Sequence, residues 1–550
     1  MVNINEIEKL VIDQFPYAIP YPNQIDTIVK IVDEFVNKEK IHVVLGKSVI
    51  AYTVVKVLNK LRVIWRTTII TTTKALQAQY SIEFPEIYPL KSKTNYECPK
   101  GKGFYMSPEC LNHCKAGKCD PKRFCPYVTT RNHWCDEAKI RNTNTAFMLE
   151  ACGSLVKTPE RFSDFMVIDE AHRLEELILD HAKCEFSTWA LHELTYVNVM
   201  IPVYESHKLI IRLLNHCGTI ASTQEDSMIE VDEEIKGLSN DLSSELTSLK
   251  DKVQGYIDKL DTCDQDEAET AGYLFQLIES LNNMENNASM LGSVELGTRL
   301  HVSTGEGYLE LKILDAKVMS QYSLFSKAKR YLHMSGTICG YEYHLRKLGI
   351  DPSISSYIEV PNHIPIKNRQ IQALGNFRIR GNSYDENWKS IEFCDKLLDY
   401  YWDKHGFIFL PSYEMCGTYL TNTRHKDRLV LPESMEDART LMRMPDNKVL
   451  VSPALVEGID LKDDMCRFAI IPRIPYLYLG DPIIRLKNKT EPDFYFRTTI
   501  LRLVQILGRG IRTTEDWCHL YVFDSSLKIL VDKNREFFPK WFLDAIVWRF

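Results

Sequence analysis

Five cysteines, Cys98, Cys110, Cys114, Cys119 and Cys125, stand in one short window of the chain. Thiolates gathered this closely usually hold a metal. The spacings are Cys98-x15-Cys114-x4-Cys119-x5-Cys125, with Cys110 left over. Structural zinc sites favour Cys-x2–4-Cys pairs. No Cys-x2-Cys occurs, although Cys110-x3-Cys114 could supply one arm. Wide, irregular spacing suits an iron–sulfur cubane better, because its corners lie farther apart than four ligands on one ion. Spacing alone leaves three readings open: an iron–sulfur cluster first, then zinc, then structural thiols.

The window lies between Gly46-Lys47-Ser48 and Asp169-Glu170-Ala171-His172. The latter follows an apolar strand-like run. There an Asp can hold Mg²⁺ through water, and a Glu can polarise an attacking water. Gly46-Lys47-Ser48 falls between a predicted strand and a predicted helix, where backbone N–H groups and a lysine meet phosphates. Far downstream, Gln505-x2-Gly508-Arg509-x2-Arg512 places two arginines three residues apart. On one helical face both would reach a γ-phosphate. Each motif alone is weak: Asp-Glu pairs are common at strand ends, and an Arg pair is by default a solvated helix face. A complete phosphate loop reads Gly-x4-Gly-Lys-Ser/Thr. Here Ile41 holds the first glycine position, and a strand is predicted to run directly into Gly46. A β-branched residue does not take the φ > 0 geometry such a loop needs, so either another path cradles the phosphates or ATP binding is impaired.

Apolar runs at 41–45, 67–71 and Phe165–Ile168 predict buried strands. Helical patterns over Val49–Leu61 and Lys74–Phe84 come after the first and second of these runs. Strands alternating with helices predict a parallel sheet. Beyond His172 the period changes. Ile235, Leu238, Leu242, Leu246, Leu249, Val253, Tyr256 and Leu260 recur at threes and fours, which predicts a long amphipathic helix. A second helical run, Tyr273–Met284, makes a hairpin with it, which either packs on itself or faces a ligand. Strand-like runs return at Arg330–Met334, Gly406–Leu410, Lys448–Ser452, Phe468–Ile471 and His519–Phe523, predicting a second α/β domain.

Length and composition frame these elements. A chain of 550 residues predicts three or four domains, and 45% apolar with 26% charged residues are ordinary globular values. No apolar run is long enough for a membrane span. The N-terminus has neither basic n-region nor apolar h-region, so a reducing, cytoplasmic setting is expected. The compact size fits a prokaryotic or viral protein. The formal net charge of −7 requires any nucleic-acid partner to meet local basic surface. Acidic residues concentrate over Glu225–Glu269.

In this order the motifs resemble those of the XPD/DinG family of iron–sulfur superfamily 2 DNA helicases, over nearly the whole chain. Pro22-Asn23-Gln24 is similar to the family's adenine-side glutamine element, and Thr71–Gln77 to motif Ia. The Asp169–His172 stretch takes the DEAH-box position. Lys93-Thr94-Asn95-Tyr96-x-Cys98 and Cys125-Pro126-Tyr127 resemble the edges of the cluster domain. The x4/x5 spacing is similar to the DinG branch, which selects Cys114 over Cys110. Ser335-Gly336-Thr337 resembles motif III and Phe409–Tyr413 motif IV. Glu457-Gly458-Ile459-Asp460-Leu461 resembles motif V, and Gln505–Arg512 motif VI.

The resemblance implies an α/β fold: two RecA-like motor domains with ATP between them, and an iron–sulfur cluster domain and a helical arch domain inserted in the first. The first motor would comprise 1–92, 129–178 and 307–352, the cluster domain 93–128, the arch 179–306, and the second motor 353–550. Asp169, Glu170, His172, Gln505, Arg509 and Arg512 would be catalytic. Gln24, Gly46, Lys47, Ser48, Gly458 and Asp460 would bind nucleotide with Mg²⁺. Cys98, Cys114, Cys119 and Cys125 would hold a [4Fe–4S] cluster. The implied activity is that of an ATP-dependent, 5′–3′ DNA-repair helicase. It would be a monomer, working without a membrane on single-stranded and forked or tailed duplex DNA. The short phosphate loop raises a second expectation, a DNA-binding scaffold weakened in turnover. A nuclease-coupled helicase is disfavoured, since no extra metal-carboxylate domain flanks the motor.

Overall fold

The computed structural model describes residues 2–45, 48–101, 103, 110, 125–149, 162–197, 201–260, 264–360, 362–377, 384–453, 461, 463–508, 510–511 and 515–549. The chain divides into two compact units. The first gathers 1–14, 29–334 and 343–357; the second gathers 15–28, 335–342 and 358–550.

The first unit is organised by short strands whose burial does not alternate, the pattern of a sheet covered on both faces. Its strands are β1 (His42–Leu45), β2 (Thr67–Thr71), β3 (Tyr88–Pro89), β4 (Ile140–Asn144) and β5 (Ser163–Ile168). An insertion then carries β6 (Lys183–Ser187), β7 (Met228–Glu230), β8 (Arg299–Gly305) and β9 (Tyr308–Ile313). After it come β10 (Ala328–Met334) and β11 (Ser355–Tyr357). The main sheet has the order β11-β1-β10-β5-β2-β4-β3 and is parallel throughout. Its carboxyl ends therefore share one edge. The register aligns Leu45 with Met334, His333 with Ile168, Ile168 with Ile70, and Thr71 with Asn144. Helices Ser48–Lys60 and Lys74–Glu83 follow β1 and β2, as their spacing predicts.

The entry of β1 is fixed by a buried chain of imidazoles. His42 Nδ1 lies 3.0 Å from His333 Nε2, and His333 Nδ1 lies 3.3 Å from His344 Nε2. Phe325 and Tyr331 wall the chain, with Tyr331 stacked on His42 at 4.9 Å. Burial pushes His42 down to about 4 and lowers His333 as well.

The insertion between β5 and β10 is mainly helical. Helix Glu233–Ile257 starts where Asp232 accepts the Ile235 N–H at 2.7 Å. It packs along helix Gln265–Ser293, capped by Asp264. Leu238, Leu242, Leu246, Leu249 and Val253 are buried on one helix; Leu274, Leu277, Leu281 and Leu291 are buried on the other. The hairpin thus packs on itself. At its far end a Cβ on Gly292 would meet the Asn240 side-chain amide, which would have to swing aside. Strands β6–β9 form an antiparallel sheet of order β6-β9-β8-β7 beneath it.

The second unit repeats the parallel plan. Its strands are β12 (Ile371–Phe377), β13 (Gly406–Phe409), β14 (Leu429–Val430), β15 (Val449–Ser452), β16 (Phe468–Ile471), β17 (His519–Asp524) and β18 (Ile546–Trp548). They lie in the order β14-β15-β13-β16-β17-β12-β18, again all parallel. Leu398, Ile408, Met415, Tyr419, Phe468 and Ile470 form part of its core. The predicted α/β class holds in both units. No described helix is long and apolar enough to cross a membrane.

Candidate nucleotide site and cysteine window

In a parallel sheet, ligand sites form outside the carboxyl ends of the strands. Asp169 sits there, directly after β5. Its N–H donates to Ile70 O at 2.9 Å, carrying the pairing with β2 one residue past the strand. Its side chain is 6% exposed. Oδ1 accepts the Glu170 N–H at 2.9 Å, and Oδ2 accepts the Tyr80 hydroxyl at 3.0 Å. Burial raises the Asp169 carboxyl above its ordinary value, while the Tyr80 and Glu170 hydrogen bonds pull it back.

Glu170 turns the chain at φ 51°, ψ 44°, a left-handed conformation that costs a non-glycine residue about 1 kcal/mol or more. The turn sends the Glu170 carboxylate out to 40% exposure, where Oε2 lies 3.3 Å from Nδ1 of the buried His172. A buried carboxylate thus stands beside a half-exposed one with an imidazole against it. Asp169 alone could accept from a water on a cation, and Glu170 could polarise another water.

The neighbouring edge is different. Strand β1 runs extended through Leu45, and the next helix begins at Ser48. Gly46, Lys47 and the Ser48 side chain lie outside the described residues, as do Gly458, Asp460, Arg509 and Arg512. Helix Pro492–Leu507 carries the half-buried Gln505 but ends there, with Gly508 as its C-cap. Gly510 and Ile511 are not helical, and the expected helical face of Arg509 and Arg512 lies outside the described residues. At Gly510 the backbone runs close to a buried thiol, since a Cβ there would meet Cys518 Sγ at 2.6 Å. Upstream on the same helix, buried Arg497 donates to Cys339 O at 2.7 Å and Ile338 O at 2.9 Å. It thereby fixes the segment that follows Ser335-Gly336-Thr337, which itself forms a Ser335–Thr337 hydroxyl turn.

Gln24 falls in the segment grouped with the second unit. Its Oε1 accepts the Tyr21 N–H at 3.0 Å, after a turn with Asn23 at φ 64°. The Tyr21 ring stacks on His363 at 5.3 Å and stays half exposed.

In the cysteine window, Cys98, Cys110 and Cys125 are described; Cys114 and Cys119 are not. Cys98 opens a tight turn: its N–H donates to Gly103 O at 2.7 Å, and Gly101 N–H donates to its carbonyl at 2.9 Å. Gly101 and Gly103 take φ of 67° and 63°, which this turn requires. Cys125 caps helix Pro126–Asp136. Both thiols are half buried outside any disulfide, while Cys110 is 6% exposed. Among the described residues no group of three or more His, Cys, Asp or Glu is arranged to hold a metal. The donor set itself is all thiolate, the chemistry an iron–sulfur cluster takes. Sequence reasoning missed Tyr80 and Arg497. Nothing in local spacing marks either, because both partners come from distant chain segments.

Residues 401–545 match the family described as helicase C-terminal domain. The ATP-dependent DNA helicase XPD of Sulfolobus acidocaldarius is 23% identical over 457 residues, covering 75% of this chain and 74% of that protein. A solved XPD helicase superposes with a TM-score of 0.57 at 17% identity, over 97% of this chain and 100% of that one. Xpd4 of S. tokodaii superposes with a TM-score of 0.54 at 13% identity, over 96% and 100%. Set beside two parallel α/β units, a helical insertion between β5 and β10, and an acidic pair at the end of β5, these matches support a chain of the XPD/DinG-like superfamily 2 helicases.

Proposed function

We propose that the chain is an ATP-driven DNA helicase that moves 5′ to 3′ along single-stranded DNA and opens forked or tailed duplexes as a cytoplasmic monomer. The observation that carries this reading is the buried Asp169 beside half-exposed Glu170 at the carboxyl edge of an XPD-like sheet. In it, Glu170 polarises the attacking water, with His172 holding its carboxylate. Asp169 accepts from water on Mg²⁺. Lys47 and Ser48 meet the terminal phosphates, Gln24 the adenine, and Arg509 and Arg512 the γ-phosphate from beyond Gly508. Gln505, Gly458 and Asp460 complete the nucleotide contacts. Mg²⁺, when bound, neutralises charge developing on the phosphate oxygens.

Residues 93–128 form the cluster domain in this reading, with Cys98, Cys114, Cys119 and Cys125 holding a [4Fe–4S] cluster. With a cluster bound, these cysteines would tie the domain into a stiff wedge at which strands part, without any redox step. Residues 179–306 form the arch. The abrupt passage from β1 to the next helix favours weak use of ATP by this chain.

Two measurements test the reading. ATP hydrolysis should rise on adding single-stranded DNA; DNA binding with no hydrolysis at any ATP concentration would favour the scaffold alternative. Anaerobically purified protein should carry iron, and Cys110→Ser should retain it. One zinc and no iron, or iron lost in that variant, would overturn the ligand assignment.

A further inference from the structure

We propose that Tyr80 is a positioning residue that orients the Asp169 carboxylate for the metal; the inference rests on the nucleotide site proposed above. Tyr80 lies on helix Lys74–Glu83, which is pinned along its inner face. At its start, Thr73 Oγ1 accepts the Leu76 N–H at 3.2 Å. One turn on, Gln77 Nε2 donates to Leu90 O at 2.7 Å, and Asn142 Nδ2 donates to Gln77 O at 2.9 Å. At its end, Phe84 stacks on Tyr52 with ring centroids 4.0 Å apart. Tyr80 is held between these anchors at 2% exposure, with its hydroxyl 3.0 Å from Asp169 Oδ2.

An ionised carboxylate offers about four lone-pair positions. The Glu170 N–H fills one on Oδ1 and the Tyr80 hydroxyl one on Oδ2. Each oxygen keeps capacity for a metal-bound water. The terminal torsion of Asp is broad, so a single backbone donor leaves the carboxylate free to swing. The second donor stops it. A phenol suits the task because it is neutral. A lysine or arginine there would repel the cation it is meant to serve. The same hydrogen bond satisfies a carboxylate that is otherwise costly to bury.

The test uses Mn²⁺ in place of Mg²⁺, with free Mn²⁺ read by electron paramagnetic resonance in the presence of ATP. Tyr80→Phe keeps the ring and removes the hydroxyl. It should weaken Mn²⁺·ATP uptake about tenfold, as loss of an outer-shell partner does. Single-stranded DNA affinity should stay at the parent value. Raised Mg²⁺ should restore most of the hydrolysis rate, a rescue that a general packing defect would not show. Equal Mn²⁺·ATP uptake by Tyr80→Phe and the parent overturns the inference and leaves the nucleotide reading standing. No uptake by the parent overturns the nucleotide reading, and the inference with it. If Tyr80→Phe does not fold, fluorotyrosine-labelled parent gives the second measurement. Mn²⁺·ATP should then broaden a buried tyrosine resonance in the ¹⁹F spectrum, and an unchanged spectrum overturns the inference.

Discussion

The carboxyl ends of β5 and β1 lie on one edge of one parallel sheet, yet they are built differently. At β5 the chain turns through the left-handed Glu170, buries Asp169 under the Tyr80 hydroxyl, and exposes a second carboxylate to solvent. At β1 the strand continues to Leu45 and a helix begins three positions later at Ser48. The first end holds backbone strain in the shape of a site. The second has little chain with which to shape anything. A shared fold therefore does not guarantee that both halves of the proposed nucleotide site are equally developed, because the sheet fixes the edge and the loops make the chemistry.

Erasing the difference should give the largest effect. Inserting about five residues of Glu-x-Pro-x-Gly type before Gly46 should rebuild a curl of phosphate-binding N–H groups and raise ATP hydrolysis about a thousandfold. Equal rates with and without the insertion would mean that the short passage is harmless. Damaging the developed end should come next. Glu170→Gln should lower hydrolysis about a hundredfold while ATP still binds, since an amide does not polarise water as a carboxylate does. Unchanged turnover would remove Glu170 from the chemistry.

The smallest effect concerns the other end of β1. His42 and His333 are held neutral by burial, whereas in the unfolded chain they protonate near pH 6.5. A depressed folded-state pKa makes stability fall as pH drops below 6.5 toward about 4. His42 alone should account for about 2 kcal/mol by pH 5. Denaturant melts across that window check it, and a His42→Gln chain should show a shallower slope. Identical slopes would place the acid sensitivity elsewhere.

Much of the architecture was legible because it follows from local pattern. Apolar runs at 41–45, 67–71 and 468–471 fell on β1, β2 and β16. The threes and fours from Ile235 gave helix Glu233–Ile257. Its partner is longer than the run Tyr273–Met284, extending over Gln265–Ser293, because its first turns are stabilised by the Asp264 cap and not by an apolar stripe. Strands β6–β9 went unread, although Tyr308–Ile313 alternates buried and part-buried residues and pairs with Arg299–Gly305 as a hairpin. Asp169 and Glu170 were legible from a strand that ran into them. Tyr80 was not, since its partner is far along the chain. The expected helical face of Arg509 and Arg512 lies outside the described residues, and helix Pro492–Leu507 ends at its Gly508 cap.

The position of the insertion has a consequence for how the chain acquires its fold. Strands β5 and β10 are adjacent in the sheet but separated by residues 169–327. Closing a flexible loop of that length is entropically expensive and slow. The insertion shortens it. Lys183 pairs with Lys312, and the Ile313 N–H donates to Ala182 O at 2.8 Å, so β6 and β9 join the insertion's two ends. Once they pair, only the arms 169–181 and 314–327 remain to be closed, which lowers the loop-entropy cost by roughly 1.5 kcal/mol. On a ribosome the hairpin would assemble first and deliver β10 to a waiting β5, with β11 last. Mutations that loosen the β6–β9 clasp should therefore slow maturation of the first sheet even where the finished protein tolerates them.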